Sequence, residues 1–390
     1  MWKQRAKALC LKEGDRNTAF FHARASERKL QKKIKTIKNN EGQPMRGKMA
    51  VRQVVLDYFD NIFQSINPED NVIREIVDVM RPRVTDEMNA MLIQPFTVEE
   101  VFLVLKQMHP LKSPGPDVYK FASKTIANRL RPLLNSLISP SQSAFVPGRL
   151  LTDNILVAYE INHFLSHKQY GSIGHVSLKL DISKAYDHVE WNFLRRVLVR
   201  IGFHSKFIDL IMLCVTTVSY SFLLNGEEFG LLQPGRCLRQ GDPLSPYLFL
   251  FCAEAFSSFV SQAERNGELQ GVAISRYAPR VSHLLFADNT LIFCQATSNA
   301  MACIKRLLES LERALGLKIN LEKSAMVFSI NVSSTARENL AAILGVTVEE
   351  RHAKYLGLPT IIGRSKREVF DSVKDRIWSK MQGWAVKKLS

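Results

Sequence analysis

Residues 281–294, Val-Ser-His-Leu-Leu-Phe-Ala-Asp-Asn-Thr-Leu-Ile-Phe-Cys, constrain the fold more than any other stretch. Two short apolar runs, Leu284–Phe286 and Leu291–Phe293, flank the polar pair Asp288–Asn289. Asp and Asn accept the positive φ of a two-residue hairpin turn, so the pattern predicts a tight β-hairpin. An acid at such a tip sits on rigid strands and points outward. A metal ligand does this, and so does an ordinary solvated turn.

The rest of the chain weighs between the two. With 390 residues and 46% hydrophobic content it can bury a large core divided among domains, yet its net charge is +16. Such a balance favours a polyanionic partner, nucleic acid or an anionic membrane. No apolar run of about 18 residues and no N-terminal apolar leader stand in the sequence, which argues against a membrane span or a secretory signal. Six cysteines (Cys10, Cys214, Cys237, Cys252, Cys294, Cys303) show no CxxC or zinc-like spacing and read as reduced core thiols of an intracellular protein. The charge is concentrated. Residues 1–48 hold fourteen Lys and Arg, among them Lys29, Lys32, Lys33 and Lys35, against four acids, with Trp2, Phe20, Phe21 and His22 interleaved. Cations with stackable rings suit a phosphate backbone and its bases; a helix with a solvated cationic face is the plainer reading.

Spacings of three and four predict helices through Val51–Phe63 and Ile73–Met80, and a third after Thr97, an N-cap with Glu100 as its capping-box partner. The apolar stripe Val101, Val104, Leu105 and Met108 on that helix reads as core. Lys112–Asp117 is a loop broken by two prolines and a glycine. Helices follow at Ser123–Leu137 and Thr152–Phe164, parted by the loop Gln142–Arg149. His175–Asp181 alternates with period two, a strand that ends on a carboxylate. Ser183–Ile201 and Ser205–Thr216 read as helices, and Asn225-Gly226 joins two strands as a hairpin. A loop at Arg236–Pro246 enters the long apolar helix Tyr247–Gln262, and after the opening hairpin come a helix at Ala300–Ala314 and short strands near Ile319 and Met326–Phe328.

Two strand-borne carboxylates, Asp181 and Asp288, can thus share one sheet. Phosphoryl transfer with divalent ions needs such a cluster, two metals roughly 4 Å apart bridging the attacking and leaving oxygens. Magnesium prefers oxygen ligands and is completed by a triphosphate. No phosphate loop, no glycine-rich dinucleotide fingerprint and no supported Ser/His/Asp or Cys/His grouping competes.

These residues resemble a known family. Leu180-Asp181-Ile182-Ser183-Lys184-Ala185-Tyr186-Asp187, Arg239-Gln240-Gly241-Asp242-Pro243-Leu244-Ser245-Pro246, Phe286-Ala287-Asp288-Asn289, Gly316–Ser324 and Lys354-Tyr355-Leu356-Gly357-Leu358-Pro359 occur in the order found in the reverse transcriptases of plant non-LTR (LINE-type) retrotransposons. Ser113–Asp117, Gln142–Arg149 and the basic Glu13–His22 fit the same family, so the resemblance covers essentially the whole chain. It implies an α+β fold: a right-hand polymerase palm with an antiparallel sheet backed by helices, reduced fingers and a basic helical N-terminal segment. The implied segments are residues 1–48 (basic), 49–110 (helical), 111–363 (reverse transcriptase domain) and 364–390 (start of a thumb). The implied activity is RNA-directed DNA polymerisation onto a primer 3′-hydroxyl, with RNA template, DNA primer and deoxynucleotide triphosphates as partners and two Mg2+ ions as cofactor. A nuclear location is expected.

The roles implied are specific. Asp181 and Asp288 would hold the metals, with Asn289 beside them; Tyr186 would lie under the incoming sugar and exclude a ribose 2′-hydroxyl. Gln240 and Gly241 would meet the nucleotide, Lys323 would protonate the leaving pyrophosphate, and Tyr355, Leu356 and Gly357 would grip the primer. Asp187 reads as structural. Two departures from the family point to weak activity or none. Asn289 replaces a second aspartate and removes a negative charge. Asp117 runs straight into Val118-Tyr119-Lys120, where the family carries fingers strands that clamp the triphosphate. The chain starts after the place of an endonuclease domain and stops where a thumb begins, as a fragment of a longer element would. A non-catalytic nucleic-acid-binding remnant is the alternative.

Overall fold

In a computed structural model of the chain, residues 33–107, 117–352 and 355–358 are described, with 371, 374–375, 377–379 and 381 near the end. The strands in chain order are β1 Thr36–Lys38, β2 Pro44–Arg46, β3 His175–Leu180, β4 Ile182–Ser183, β5 Tyr220–Leu224, β6 Glu227–Leu232, β7 His283–Phe286, β8 Asn289–Gln295, β9 Lys318–Ile319, β10 Ala325–Phe328 and β11 Thr347–Val348. The helices are α1 Lys48–Phe63, α2 Asp70–Val77, α3 Asp86–Leu92, α4 Val98–Gln107, α5 Asp117–Leu130, α6 Leu134–Leu137, α7 Leu151–His167, α8 Trp191–Ile201, α9 Ser205–Thr216, α10 Ser245–Arg265, α11 Ser298–Leu315 and α12 Ser334–Leu344.

The chain divides into two compact units. Of the described residues, the smaller takes 33–62 and 219–233 with those near the end of the chain, and the larger takes the rest from 63 to 358. In the smaller unit the rings of Phe59 and Phe222 approach to 4.8 Å, and the Arg52 guanidinium lies 4.8 Å from the Phe229 ring. Asn225 and Gly226 have φ of 55° and 89°, the left-handed pair that a two-residue hairpin needs. The Asn225 amide also exchanges hydrogen bonds with the Ile34 backbone at 2.8 and 3.0 Å. Residues 36–46 form a hairpin rather than the helix expected of the basic segment. Gly42 at φ 79° turns the chain there, and Asn39 ties off the loop through Glu41 and Gln43. Residues 1–32, with Lys29 and Lys32, lie outside the described residues.

The larger unit is built on a five-stranded sheet of order β11-β10-β3-β8-β7, antiparallel except between β10 and β11. Alternation sorts its side chains. Val176, Leu178, Leu180, Leu285, Ile292 and Cys294 face the main core with α8, α10 and α11. Leu284, Leu291 and Phe293 face a smaller core closed by Ala158, Ile161 and Leu165 of α7. Ser177, a polar member of the β3 alternation, is buried as well and meets His352 Nε2 at 3.1 Å.

Several local expectations hold, and others fail for tertiary reasons. Thr97 and Glu100 form the reciprocal capping box at 3.3 and 2.9 Å. On α4, however, Val104 is buried while Val101 and Leu105 are 41% and 47% exposed, so that stripe is not core among the described residues. The helix expected from Ser183 starts only at Trp191, because Ile182 and Ser183 pair with Ile319 and Lys318 and hold the chain extended. No helix among the described residues is long and apolar enough to cross a membrane.

His175, His188, His283 and His352 are buried, and burial pushes each down to about 4 from the ordinary 6.5. The unfolded chain then binds more protons than the folded one between those values, so stability is complete above pH 6.5 and is lost as pH falls towards 4. Denaturant midpoints should drop steadily over that window. His283→Gln, with no proton to gain there, should flatten the slope.

Candidate active site

β3 delivers Asp181 one residue past its end, and the backbone of Asp181 is held on both sides. Its N–H donates to Ser324 Oγ at 3.2 Å and its carbonyl accepts the Asn320 N–H at 2.8 Å. Ser324 Oγ in turn donates to the Asn320 carbonyl at 2.8 Å. The Gly316–Ser324 motif therefore acts as a clamp on Asp181. Lys323 sits in it with its side chain exposed.

β7 and β8 form the expected hairpin, displaced by one residue. Phe286 pairs with Asn289, so the two-residue turn is Ala287–Asp288 and Asn289 is the first residue of β8. The apolar pairing Leu284↔Leu291 fixes that register, and the polar pair cannot then occupy the turn. Ala287 adopts φ 53°, a left-handed conformation that costs an L-residue about 1–2 kcal/mol. Asn289 Nδ2 donates to Asp288 Oδ1 at 3.3 Å.

The register between β3 and β8 ends at Leu180↔Thr290. One step further sets Asp181 opposite Asn289 and diagonal to Asp288. Cross-strand neighbours stand about 5 Å apart, so the two acids share one end of the sheet. Among the described residues no three His, Cys, Asp or Glu converge on a point that could hold a metal ion. The centre has two carboxylates and an amide.

Tyr186 stands in the turn after β4, its ring stacked on Phe249 at 4.7 Å and 16°. Burial pushes its hydroxyl up to about 12, and the Asp288 charge adds to this. The Arg236–Pro246 loop is attached here. Leu238 N–H donates to the Tyr186 carbonyl at 2.7 Å, and Gln240 Nε2 donates to Asp187 at 3.2 Å. Burial raises the Asp187 carboxyl, while the Gln240 bond opposes the shift. Gly241, at φ 84°, turns the exposed loop tip. Asp242 then accepts the Leu244 and Ser245 N–H groups at 3.1 and 3.2 Å where α10 begins.

Tyr355 and Leu358 exchange backbone hydrogen bonds at 2.8 and 3.0 Å around Leu356 and Gly357, whose φ values are 49° and 82°. Tyr355 and Leu356 pack into the small core with Leu284 and Leu291 of the β7–β8 hairpin. Lys354 lies outside the described residues. Lys33 and Lys35 belong to the smaller unit, where with Lys48, Arg52 and Glu227 they line a cavity of about 310 Å³.

The main support of the hairpin was not anticipated from the sequence. Gln142, buried, accepts the Ala287 N–H at 3.2 Å and the Ala144 N–H at 2.9 Å through one oxygen. Leu285 N–H donates to the Ser141 carbonyl at 2.8 Å, and Asn154 Nδ2 donates to the Leu285 carbonyl at 2.7 Å. Arg149 gathers the carbonyls of Ser139, Gln142 and Ile138 at 2.5, 2.5 and 2.8 Å, which stiffens the supporting loop. The motif Gln142–Arg149 was visible, but its contact with residue 287 spans 145 positions and has no local signature.

The family model for reverse transcriptase (RNA-dependent DNA polymerase) matches residues 106–360. The 149 kDa protein of transposon TX1 from Xenopus laevis is 23% identical over 356 residues, 75% of this chain and 26% of that protein. The Pol polyprotein of the type-2 retrotransposable element R2DM from Drosophila melanogaster is 28% identical, covering 57% of this chain and 19% of its own length. An uncharacterized mitochondrial protein of Arabidopsis thaliana is 52% identical over 69 residues, 18% of this chain and 57% of that protein. The chain thus spans about a quarter or less of the two transposon proteins.

Gln142→Ala removes the acceptor of two N–H groups and should cost about 1–3 kcal/mol. Amide exchange should show lost protection at Ala287 and Asn289, while the β3 amides stay protected.

Proposed function

The chain belongs to the reverse transcriptase family, and from that premise we propose that it is the polymerase core of a non-LTR retrotransposon protein, extending a DNA primer along an RNA template. The single observation that carries this is the convergence of Asp181, Asp288 and Tyr186 at one end of the α+β palm sheet. The donor set fits magnesium, which takes one or two carboxylates and completes its shell with substrate phosphates. Asp181 and Asp288 would hold it, with the Asn289 carbonyl as a neutral oxygen nearby. When bound, the ions supply charge neutralisation for both the attacking and the leaving oxygen.

The chain's own residues account for the rest of the reading. The primer 3′-hydroxyl gives up its proton to solvent as its oxygen bonds to the α-phosphorus, the bond from the α-phosphorus to the bridging oxygen of the β-phosphate breaks, and pyrophosphate leaves. Lys323 is the proton donor to that leaving group. Tyr186, held flat against Phe249, is the floor beneath the sugar, and Gln240 and Gly241 meet the nucleotide from the loop tied to Tyr186. The Tyr355–Leu358 turn bears on the primer end. Residues 111–363 are the polymerase domain and 364–390 the start of a thumb; the basic segment, including Lys29, Lys32, Lys33 and Lys35, holds nucleic acid. A nuclear site of action goes with this reading.

Activity is weak, because Asn289 supplies no charge and its amide occupies an Asp288 oxygen. Primer extension on RNA with magnesium and deoxynucleotides tests the reading. Asp181→Ala should abolish extension and Asn289→Asp should raise it several-fold. Extension untouched by Asp181→Ala would sink the assignment; no gain from Asn289→Asp would place the limit at the 117–118 junction instead.

A further inference from the structure

The end of the sheet opposite Asp181 carries charge and aromatic surface that polymerisation leaves unused. β3 runs from His175 at that end to Leu180 beside Asp181, a span of roughly 17 Å at about 3.3 Å per residue. Lys168, just past α7, lies 5.4 Å from the centre of the Phe164 ring, and that ring meets His175 at 5.8 Å. His175 pairs with Gln295, whose N–H donates to the Gln270 carbonyl at 3.2 Å, so the loop bearing Arg280 begins beside the same end of β3; burial and the charges of Lys168 and Arg280 all depress His175.

Arg280 lies on a braced loop. Val272 and Val281 exchange two backbone hydrogen bonds of 2.9 Å at its base, and Arg280 Nη1 donates to the Gly271 carbonyl at 3.2 Å. Ala278 N–H donates to the Ser275 carbonyl at 3.2 Å, which makes the tip a tight turn. That turn presents Tyr277, 90% exposed, with the Arg276 guanidinium 5.9 Å from its ring centre. Tyr170, 86% exposed, stands on the loop after α7, where Asn331 Nδ2 donates to the Gly171 and Ile173 carbonyls at 2.8 and 3.0 Å. Two rings this exposed add almost nothing to packing. Among the described residues Lys168, Arg276 and Arg280 are in no ion pair, and Glu264, the carboxylate that reaches the loop, accepts the Gly271 N–H at 3.3 Å.

We propose that this distal end is a second nucleic-acid-binding surface, taking single-stranded RNA or DNA with its phosphates on Lys168, Arg276 and Arg280 and its bases stacked on Tyr170 and Tyr277. Unneutralised cations near largely exposed rings are what a single strand uses, since every base offers a π-face and every linkage a charge. An acidic protein would use the cations and leave the rings idle. The surface stands on its own geometry and does not depend on the chain being an active polymerase.

The test uses the full chain with short unstructured RNA and DNA oligonucleotides, one set carrying a photoactivatable base. Crosslinks should map to residues 168–170 and 275–280. The double substitution Tyr170→Ala with Tyr277→Ala should weaken binding about tenfold, while Tyr277→Phe, which keeps the ring, should not. Arg276→Ala with Arg280→Ala should reduce the salt slope by about 1.4, two contacts at about 0.7 each. Comparing the RNA and DNA arms identifies the preferred strand. Crosslinks confined to residues 1–48 with unchanged affinity in every variant would overturn the proposal. So would anionic phospholipid vesicles whose binding these substitutions abolish while oligonucleotide binding stays intact. Extension is measured separately through Asp181→Ala, so failure of the polymerase reading leaves these outcomes distinct.

Discussion

Six consecutive backbone pairs join β3 to β8, from His175↔Gln295 to Leu180↔Thr290, and both the core and the candidate centre depend on them. A slip of one residue would turn every side chain of one strand to the other face. Here both faces are apolar and closed, the first by α8, α10 and α11 and the second by α7, so a slip would drive Ser177 and Lys179 into the main core. The register that satisfies the core also sets Asp181 diagonal to Asp288. Hydrophobic sorting therefore positions charge, and the acids need no attraction of their own to meet.

The centre is also where the backbone is strained. Lys184, Cys237, Ala287 and Leu356 all have positive φ, at 49°, 126°, 53° and 49°. Non-glycine residues persist in such conformations only when their surroundings over-determine them. Those surroundings are visible: Gln142 holds Ala287, Val189 accepts the Cys237 N–H at 3.0 Å, and Tyr355 and Leu358 close around Leu356. Strain of this kind, held by hydrogen bonds from distant loops, keeps the groups at the end of the sheet in one arrangement.

What could be read from the sequence was what local chemistry dictates. The Thr97–Glu100 capping box, the Asn225-Gly226 turn and the period-two strand into Asp181 each follow from side chains within a few residues of one another. The hairpin itself was legible, but its turn was placed one residue late, because composition favoured Asp-Asn and pairing across β7 and β8 overruled it. Tyr186 was assigned to a helix because its neighbours are helix-compatible; pairing of Ile182 and Ser183 with β9, more than a hundred residues away, holds the start of that stretch extended and leaves Tyr186 in the turn that follows. The roles of Gln142 and Arg149 were hidden for the same reason, since their partners are carbonyls and amides that every residue possesses.

Asn289 changes the centre in a way that shape alone does not reveal. An aspartate there would repel Asp288, and two adjacent carboxylates relieve that repulsion by taking a dication. The amide removes that repulsion: Asn289 Nδ2 donates to Asp288 Oδ1 at 3.3 Å. On the proposed metal-binding reading, a cation taking that oxygen of Asp288 would displace a hydrogen bond, where in the acidic arrangement it would relieve a repulsion. The centre thus loses a charge, and its resting state also becomes more comfortable. Catalysis depends on a group whose stabilisation is completed only when substrate and metal are present. On the proposed reading, a site already satisfied at rest has less to gain from them, and this would follow from one side-chain nitrogen standing where an oxygen would be.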